Sequence, residues 1–186
     1  MVIALARIAD SSDGARVLAT RLDEAGEPLV TEYVTDLPAF VAAEETQHPR
    51  WVWDDTARWY PELLAARVRV ERCVDLRLCH AILRHSSLTA GSALARAEPN
   101  DWDGPAVTTT RADDSGALFD LEPAANTVVE ADPLAEFALQ RLAVAASAEP
   151  GRIGRLLAAE SAGALIAAEM RFAGLPWRAD RHDEIL

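Results

Sequence analysis

Short runs of apolar and β-branched residues, which are typical of β-strands, occupy the first part of the chain. Three such segments, residues 2–8, 16–22 and 29–34, are separated by turn-forming runs at 11–14 and 24–28. Short turns between consecutive strands favour antiparallel hairpins. The pattern therefore predicts that the fold begins with antiparallel hairpins.

Strand and helix periods alternate in the next part of the chain. In chain order, the predicted elements are a helix capped by Asp36 and reaching about Glu45, a strand over 50–54, a helix over 56–66, a strand over 68–74, and a helix capped by Asp75 and reaching about Arg84. Hairpins followed by strand–helix alternation predict an α/β fold, in which a sheet carries helices on its faces.

Residues 86–130 interrupt this pattern, because they are rich in Ser, Thr, Pro, Gly, Asp and Ala and sparse in large apolar side chains. We expect a long, flexible, acidic loop there. Two long helices are predicted beyond it, over residues 132–147 and 151–173. Gly174 is placed to end the second helix in a left-handed conformation, and Asp180 to start a further helix.

Composition excludes several classes of protein. The 186 residues include 18 basic and 30 acidic ones, so the formal net charge is −12. This charge argues against a nucleic-acid-binding surface made by these residues alone, because such a surface needs clustered cations. Two cysteines are too few for a disulfide framework, and no apolar run approaches the roughly 20 residues of a membrane span. We therefore expect a cytoplasmic protein without a membrane partner.

Four residues raise the question of a zinc site: Cys73, Cys79, His80 and His85. Their spacing lacks a Cys-x-x-Cys knuckle, and Cys79 and His80 are helical neighbours that point in different directions. We predict buried thiols and surface imidazoles instead, and no metal site.

Two aspartates, Asp54 and Asp55, follow a predicted strand, where metal-dependent phosphoryl enzymes often hold carboxylates. The same position suits helix capping, which we favour for Asp55 because Thr56 follows it. The tryptophans at 51, 53 and 59 have strand and helix spacing, so we predict that they belong to the core.

Residues 115–121 form a lone apolar cluster inside the acidic loop. A cluster of this kind is typical of short docking motifs. It is also compatible with an anchor that folds back onto the domain, and we favour the anchor.

Further segments carry a family resemblance. They are Trp51–Trp53, Tyr60–Leu64, Val68–Cys73, Asp75–Leu83, Ala158–Met170 and Ala173–Asp180. Together these segments resemble the amino-terminal region of actinobacterial family A DNA polymerases of the bifunctional 3′-5′ exonuclease/DNA polymerase type. The last two resemble the helix and turn that open the polymerase portion of that family.

The resemblance implies a 3′-5′ exonuclease-type fold of the ribonuclease H class over residues 1–148, with the loop at 86–130 inserted. It also implies that residues 149–186 are a C-terminal helical extension, the start of a polymerase domain that is otherwise truncated. Active exonucleases of this class hold two metal ions with four carboxylates, and the metals stabilise the attacking and leaving oxygens of a phosphodiester.

The implied carboxylate set is mostly missing. Ala6 and Ile8 stand where the first strand of the family carries Asp-x-Glu. No acid occupies the second position, near Trp59 and Tyr60, and Glu62 is out of register.

Glu136 falls about where the last Asp of the family belongs, and Asp132 replaces the Tyr four residues earlier. One carboxylate cannot hold two divalent ions against hydration. The resemblance therefore implies no catalytic residue and no metal site in this segment, with Glu136 as a vestige of the lost site.

These expectations describe a catalytically inactive, exonuclease-like portion of a DNA-directed DNA polymerase that acts in DNA replication or repair. The segment itself would need no cofactor, whereas the parent polymerase would use Mg²⁺. Its partner would be the polymerase domain of the same chain, and DNA would be bound by that domain. The parent would associate with the nucleoid in the cytoplasm. In this context Leu118 and Phe119 resemble the end of a sliding-clamp-binding pentapeptide, with Ser115 in place of its leading Gln.

Two alternatives remain open from the sequence. One is an active metal-dependent 3′-5′ exonuclease whose ligands are Asp10, Asp54, Asp55 and Glu136. The other is a free-standing acidic interaction protein whose working part is the loop.

Overall fold

Five strands form one mixed sheet in the computed structural model, which describes residues 1–8, 16–104 and 132–174. The strands are β1 (Val2–Ile8), β2 (Arg16–Leu22), β3 (Pro28–Val34), β4 (Arg50–Trp53) and β5 (Cys73–Asp75). Their order is β3-β2-β1-β4-β5. The first three strands pair antiparallel, whereas β4 and β5 run parallel to β1. The predicted α/β class and the opening hairpins are confirmed.

Helices cover both faces of this sheet. They are α1 (Leu37–Glu44), α2 (Thr56–Ala65), α3 (Leu76–His85), α4 (Ala93–Arg96), α5 (Pro133–Ala145) and α6 (Pro150–Ala173), with a single 3₁₀ turn at Glu45–Gln47. An aspartate precedes each of four helices and accepts a hydrogen bond from a backbone N–H of the first turn, at Asp36, Asp55, Asp75 and Asp132. The caps predicted at Asp36, Asp55 and Asp75 are confirmed, and all four carboxylates satisfy amides that have no partner inside the helix.

The larger core lies between the sheet and helices α1, α2 and α6. Trp51, Trp53 and Trp59 are each no more than 1% exposed there, which confirms that they are core residues. A second core lies on the opposite face, where Ala4, Val52 and Leu76 pack with side chains of α5.

The predicted strand over 68–74 is wrong for most of its length. Only Cys73–Asp75 pairs in the sheet. Residues 68–72 do alternate, since Val70 is buried and Arg69 and Glu71 are exposed. This alternation arises because Val68 and Val70 pack against the larger core, although residues 68–72 are not part of a strand.

The predicted flexible loop is wrong over residues 86–104. This segment contains α4 and buries Thr89, Ser92, Leu94 and Trp102. Side-chain hydrogen bonds replace the apolar contacts that the composition lacks: the Thr89 hydroxyl donates to the Leu83 carbonyl at 2.6 Å, and Ser92 caps α4. The rest of that loop lies outside the described residues.

Helix α6 packs against α2, α3 and β5 and contributes Leu165 to the larger core. Gly174 ends it with a φ of 73°, positive as predicted, although its ψ of 161° is extended rather than helical. The helix predicted at Asp180 lies outside the described residues. No helix in the described ranges is long and apolar enough to cross a membrane.

Candidate functional site

The C-terminal end of β1 is where the resemblance places the first two carboxylates. Ala6 and Ile8 share a face with Ala4, because side chains two residues apart point to the same side of a strand. Ala6 pairs with Leu18 of β2, which in turn pairs with Tyr33 of β3. Apolar side chains therefore occupy this face of the sheet at the positions where an exonuclease of this class would bind metal.

The second position is filled by a buried indole. The Nε1 atom of Trp59 donates a hydrogen bond to the Asp54 carboxylate. The guanidinium of Arg7 lies 4.5 Å from the centre of the Trp59 ring, and its Nη2 atom is 3.1 Å from Oε2 of Glu62. Glu62, which is out of register in the sequence, is thus neutralised by a cation of β1.

Tyr60 points away from this position. Its hydroxyl donates a 2.7 Å hydrogen bond to Oε1 of Glu169 in α6. Burial, followed by this hydrogen bond to a carboxylate, raises the pKa of Tyr60 above its ordinary value. The contact ties α2 to α6.

Glu136 in α5 lies in a buried polar cluster. Its side chain is 2% exposed, and its Oε1 atom is 2.8 Å from Nδ1 of His80, whose side chain is also 2% exposed. The same oxygen accepts a 2.6 Å hydrogen bond from Nε2 of Gln140, which also donates to the Leu76 carbonyl at 2.7 Å. Glu136 therefore holds α5 to α3.

The cluster continues on the other side of the imidazole. Nε2 of His80 lies 3.4 Å from Oδ1 of Asp103 without making a hydrogen bond, and Nε of Arg84 is 2.6 Å from the same oxygen. The Trp102 ring stacks on the imidazole, with centroids 6.5 Å apart. Burial opposes ionisation of Asp103, but the backbone N–H of Asn100, Arg84 and His80 together lower the pKa of that carboxyl.

The prediction that His80 is a surface imidazole is wrong. Leu76, His80 and Leu83 share one helical face, because residues three and four apart are neighbours on a helix, and all three are buried. That spacing is the signal that sequence reasoning missed. His85, by contrast, is exposed as expected.

Asp54 and Asp55 both have local partners. Asp54 accepts hydrogen bonds from Arg58 and Trp59, and Asp55 caps α2 through the Ala57 N–H at 2.8 Å. The capping role predicted for Asp55 is confirmed. Within residues 1–8, 16–104 and 132–174, no three His, Cys, Asp or Glu side chains are grouped so that they could hold a metal ion. Asp10 lies outside these ranges.

Both cysteines are free and buried, as predicted. The Sγ atom of Cys79 is 3.6 Å from the Ser161 hydroxyl of α6, and that of Cys73 is 3.9 Å from the Thr56 hydroxyl. Burial raises the pKa of each thiol to about 12, so neither is a ready nucleophile or metal ligand.

A shallow groove of about 330 Å³ lies between α6 and the first turns of α2 and α3. The two helix starts do not make it an anion site, because Asp55 and Asp75 already occupy their amides. Asp75 accepts from the N–H groups of Thr56 and Leu78 at 2.7 Å and 3.0 Å. Burial raises the pKa of Asp75.

Comparison with known proteins gives no match to a family model, to a curated protein or to a solved structure. The predicted docking residues Leu118 and Phe119 lie outside the described residues. The arrangement around β1, α2, α3 and α5 consists of carboxylates that each have a protein partner. Its contacts hold the helices together. Within the described part of the chain, it contains no pair of carboxylates that lack a protein partner and could bind a metal ion.

Proposed function

We propose that this chain is a catalytically inactive, exonuclease-like portion of a family A DNA-directed DNA polymerase that acts in DNA replication or repair. One observation carries the proposal: Ala6 and Ile8 occupy the β1 positions at which a nuclease of this class needs carboxylates. Without them, the attacking and leaving oxygens of a phosphodiester have no metal ions to stabilise them.

The topology supports a ribonuclease H-type fold for this portion. Three antiparallel strands come first, and strand–helix alternation then adds β4 and β5 parallel to β1. This is the order that the resemblance implies, with helices on both faces of the sheet.

The structural role of Glu136 supports inactivity as well. A metal ligand needs lone pairs directed at the ion. Oε1 of Glu136 instead accepts a hydrogen bond from Nε2 of Gln140 and lies within hydrogen-bond distance of Nδ1 of His80. The one acid left at a family position therefore serves helix packing.

The role that remains is that of a scaffold for a polymerase domain of the same chain. That domain would bind DNA and use Mg²⁺. The net charge of −12 on these 186 residues fits this division, because an acidic surface repels the phosphates of DNA. In this proposal the complete polymerase works at the nucleoid in the cytoplasm. Leu118 and Phe119 would bind a sliding clamp.

A nuclease assay tests the inactivity. The purified chain is incubated with 5′-labelled single-stranded DNA and Mn²⁺ or Mg²⁺, beside a family A polymerase with an intact exonuclease site as the positive control. We expect no shortening from the 3′ end, either for the chain or for its Glu136→Gln variant. Metal-dependent shortening that Glu136→Gln abolishes would contradict the proposal and favour the active exonuclease.

The polymerase context is tested separately by sequencing the coding DNA beyond codon 186. An in-frame continuation that encodes the carboxylates of a polymerase palm is the expected result. A stop codon at that point would remove the polymerase part of the proposal and favour a free-standing interaction protein.

A further inference from the structure

The groove between α6 and the first turns of α2 and α3, which we call the α6 groove, has a wall of small residues. On its α6 side these are Gly163, Ala164, Ala167 and Ala168, and Ala57 of α2 and Leu78 of α3 line it from the other helices. A Cβ atom at Gly163 would meet nothing within 4 Å. With a volume of about 330 Å³, the α6 groove therefore has room for a large side chain.

A carboxylate without a partner lies at the end of this wall that is farther from the C-terminus of α6. Glu160 lines the α6 groove, but it makes no ion pair or hydrogen bond within residues 1–8, 16–104 and 132–174. Arg77 also lines the groove, and its guanidinium is occupied by the carbonyls of residues 101, 102 and 104. A segment that binds here should therefore bring a large apolar side chain for the wall and a cation for Glu160.

The chain leaves α6 at the other end of the groove. Arg171 is the last groove residue of α6, and Gly174 follows it at the C-cap of the helix. The φ of 73° and ψ of 161° at Gly174 turn the backbone away from the helix axis. Pro176 comes next but one, and it has no N–H with which to continue the helix. The backbone thus departs from the axis of α6 within one turn of the groove.

We infer that residues 175–186 of this chain bind in the α6 groove and run back along α6. Ala167 lies about 10 Å from Gly174 along the helix axis. In an extended chain, Trp177 also reaches about 10 Å from Gly174. The indole therefore comes to the wall of small residues, where it finds the room that the groove provides.

The same geometry supplies the cation. Glu160 lies about 21 Å from Gly174 along the axis of α6. Arg181 reaches about 23 Å from Gly174 in an extended chain. Its guanidinium then lies beside the carboxylate that lacks a partner. The extended run ends at Asp180, where the sequence predicts the start of a further helix.

Tethering favours this segment over other occupants of the groove. Its first residue follows Gly174 directly, so its effective concentration is that of a short intramolecular link. A second copy of the chain is repelled by a net charge of −12 on each molecule. Residues 105–131 are less suited, because Arg111 is their one basic residue and lies far in sequence from their aromatic Phe119.

Acrylamide quenching of tryptophan fluorescence tests the binding in the 186-residue chain. The other four tryptophans are buried, none being more than 7% exposed, so a Trp177 free in solvent would be the most accessible indole. Subtraction of the signal of Trp177→Phe isolates Trp177. We expect its quenching constant to be several-fold lower than that of a peptide of residues 175–186. An equal constant would overturn the inference.

A pair of matched variants locates the binding in the groove. Ala167→Leu fills the space opposite the indole and should raise the quenching constant of Trp177 several-fold, towards that of the peptide. Ala159→Leu is the control, because Ala159 is an exposed alanine of the same helix that does not line the groove. Circular dichroism checks that both variants are folded. Equal quenching constants in the two variants would contradict the placement in the groove.

A charge exchange tests the direction in which the segment runs. Glu160→Arg places a cation opposite Arg181 and should make Trp177 more accessible to acrylamide. Addition of Arg181→Glu restores opposite charges and should bring the protection back. Equal accessibility in the single and the double variant would contradict the run along α6. The inference does not rest on the proposed function, because residues 175–186 leave α6 at the same place whether or not a polymerase domain follows, and nuclease activity would leave these results unchanged.

Discussion

The Nδ1 atom of His80 lies 2.8 Å from Oε1 of Glu136, and both side chains are 2% exposed. This contact joins α3 to α5 at a place where the family resemblance implies a metal ligand. A buried carboxylate needs hydrogen-bond donors, and here His80 and Gln140 are positioned to supply them. Glu136, at which the resemblance implies a ligand of the metal site, thus has a packing role in this chain.

Replacing Glu136 should separate a packing role from a metal-binding role. Glu136→Ala removes the carboxylate that faces His80 and one of the two acceptors of Gln140, which should lower the free energy of unfolding by about 1–3 kcal/mol. Glu136→Gln keeps an acceptor oxygen in the same place and should retain most of the stability. Urea unfolding followed by tryptophan fluorescence measures both variants. Equal stability of Glu136→Ala and the wild type would contradict the packing role.

The hydrogen bond between Tyr60 and Glu169 should contribute to the docking of α6. Tyr60→Phe removes a 2.7 Å bond to a carboxylate and should lower the free energy of unfolding by about 1–2 kcal/mol. Tyr33→Phe is the matched control, because Tyr33 is 66% exposed and its loss of a hydroxyl should change little. Chemical denaturation of the two variants side by side gives the comparison. Similar values for the two would show that the bond does not stabilise the fold.

Stability should depend on pH through Asp75. Burial raises the pKa of this carboxyl above its ordinary 3.8, so folding favours its protonated form. Its contribution to stability is therefore largest below the ordinary pKa and is lost as the pH rises through the raised value. The difference in unfolding free energy between the wild type and Asp75→Asn should shrink over that rise in pH.

Unfolding titrations at several pH values measure this difference, and the subtraction isolates Asp75 from other carboxyls. The comparison matters because Asp103 acts in the opposite direction: its pKa is lowered, so its contribution is lost as the pH falls. A difference that grows with pH, or that stays constant, would show that burial does not raise the pKa of Asp75 in the folded protein.

The two thiols should be unreactive in the folded protein. Thiolate is the reactive species, and burial raises the pKa of Cys73 and Cys79 to about 12. We expect slow reaction with Ellman's reagent at pH 8 without denaturant, and release of two equivalents in guanidinium chloride. Rapid labelling of one thiol under native conditions would indicate an accessible cysteine and contradict the buried arrangement.

Local sequence signals predicted most of the fold. Hairpin turns, helix-capping aspartates and the spacing of the tryptophans all act within a few residues, so strands β1 to β3 and the caps at Asp36, Asp55 and Asp75 follow from them. The errors arise where long-range contacts decide. Val68 and Val70 alternate as a strand would, but they pack on the core without a neighbouring strand.

The candidate site was harder to predict for the same reason. His80 is 56 residues from Glu136, and Thr89, Ser92 and Trp102 are buried by contacts that composition does not reveal. A segment poor in large apolar residues is still ordered when its few such residues and its hydroxyls find partners. By contrast, once β1 is placed, the sequence alone shows that Ala6 and Ile8 stand at the positions where the resemblance implies acids.

A titration of the purified chain with Mn²⁺ by isothermal calorimetry tests the central claim most directly. If this chain has no exonuclease-type metal site, the heat should be that of weak, nonspecific binding of Mn²⁺ to an acidic protein. Glu136→Gln should leave that heat unchanged. Saturable binding of two ions per chain, lost in Glu136→Gln, would show an assembled metal site and contradict the account.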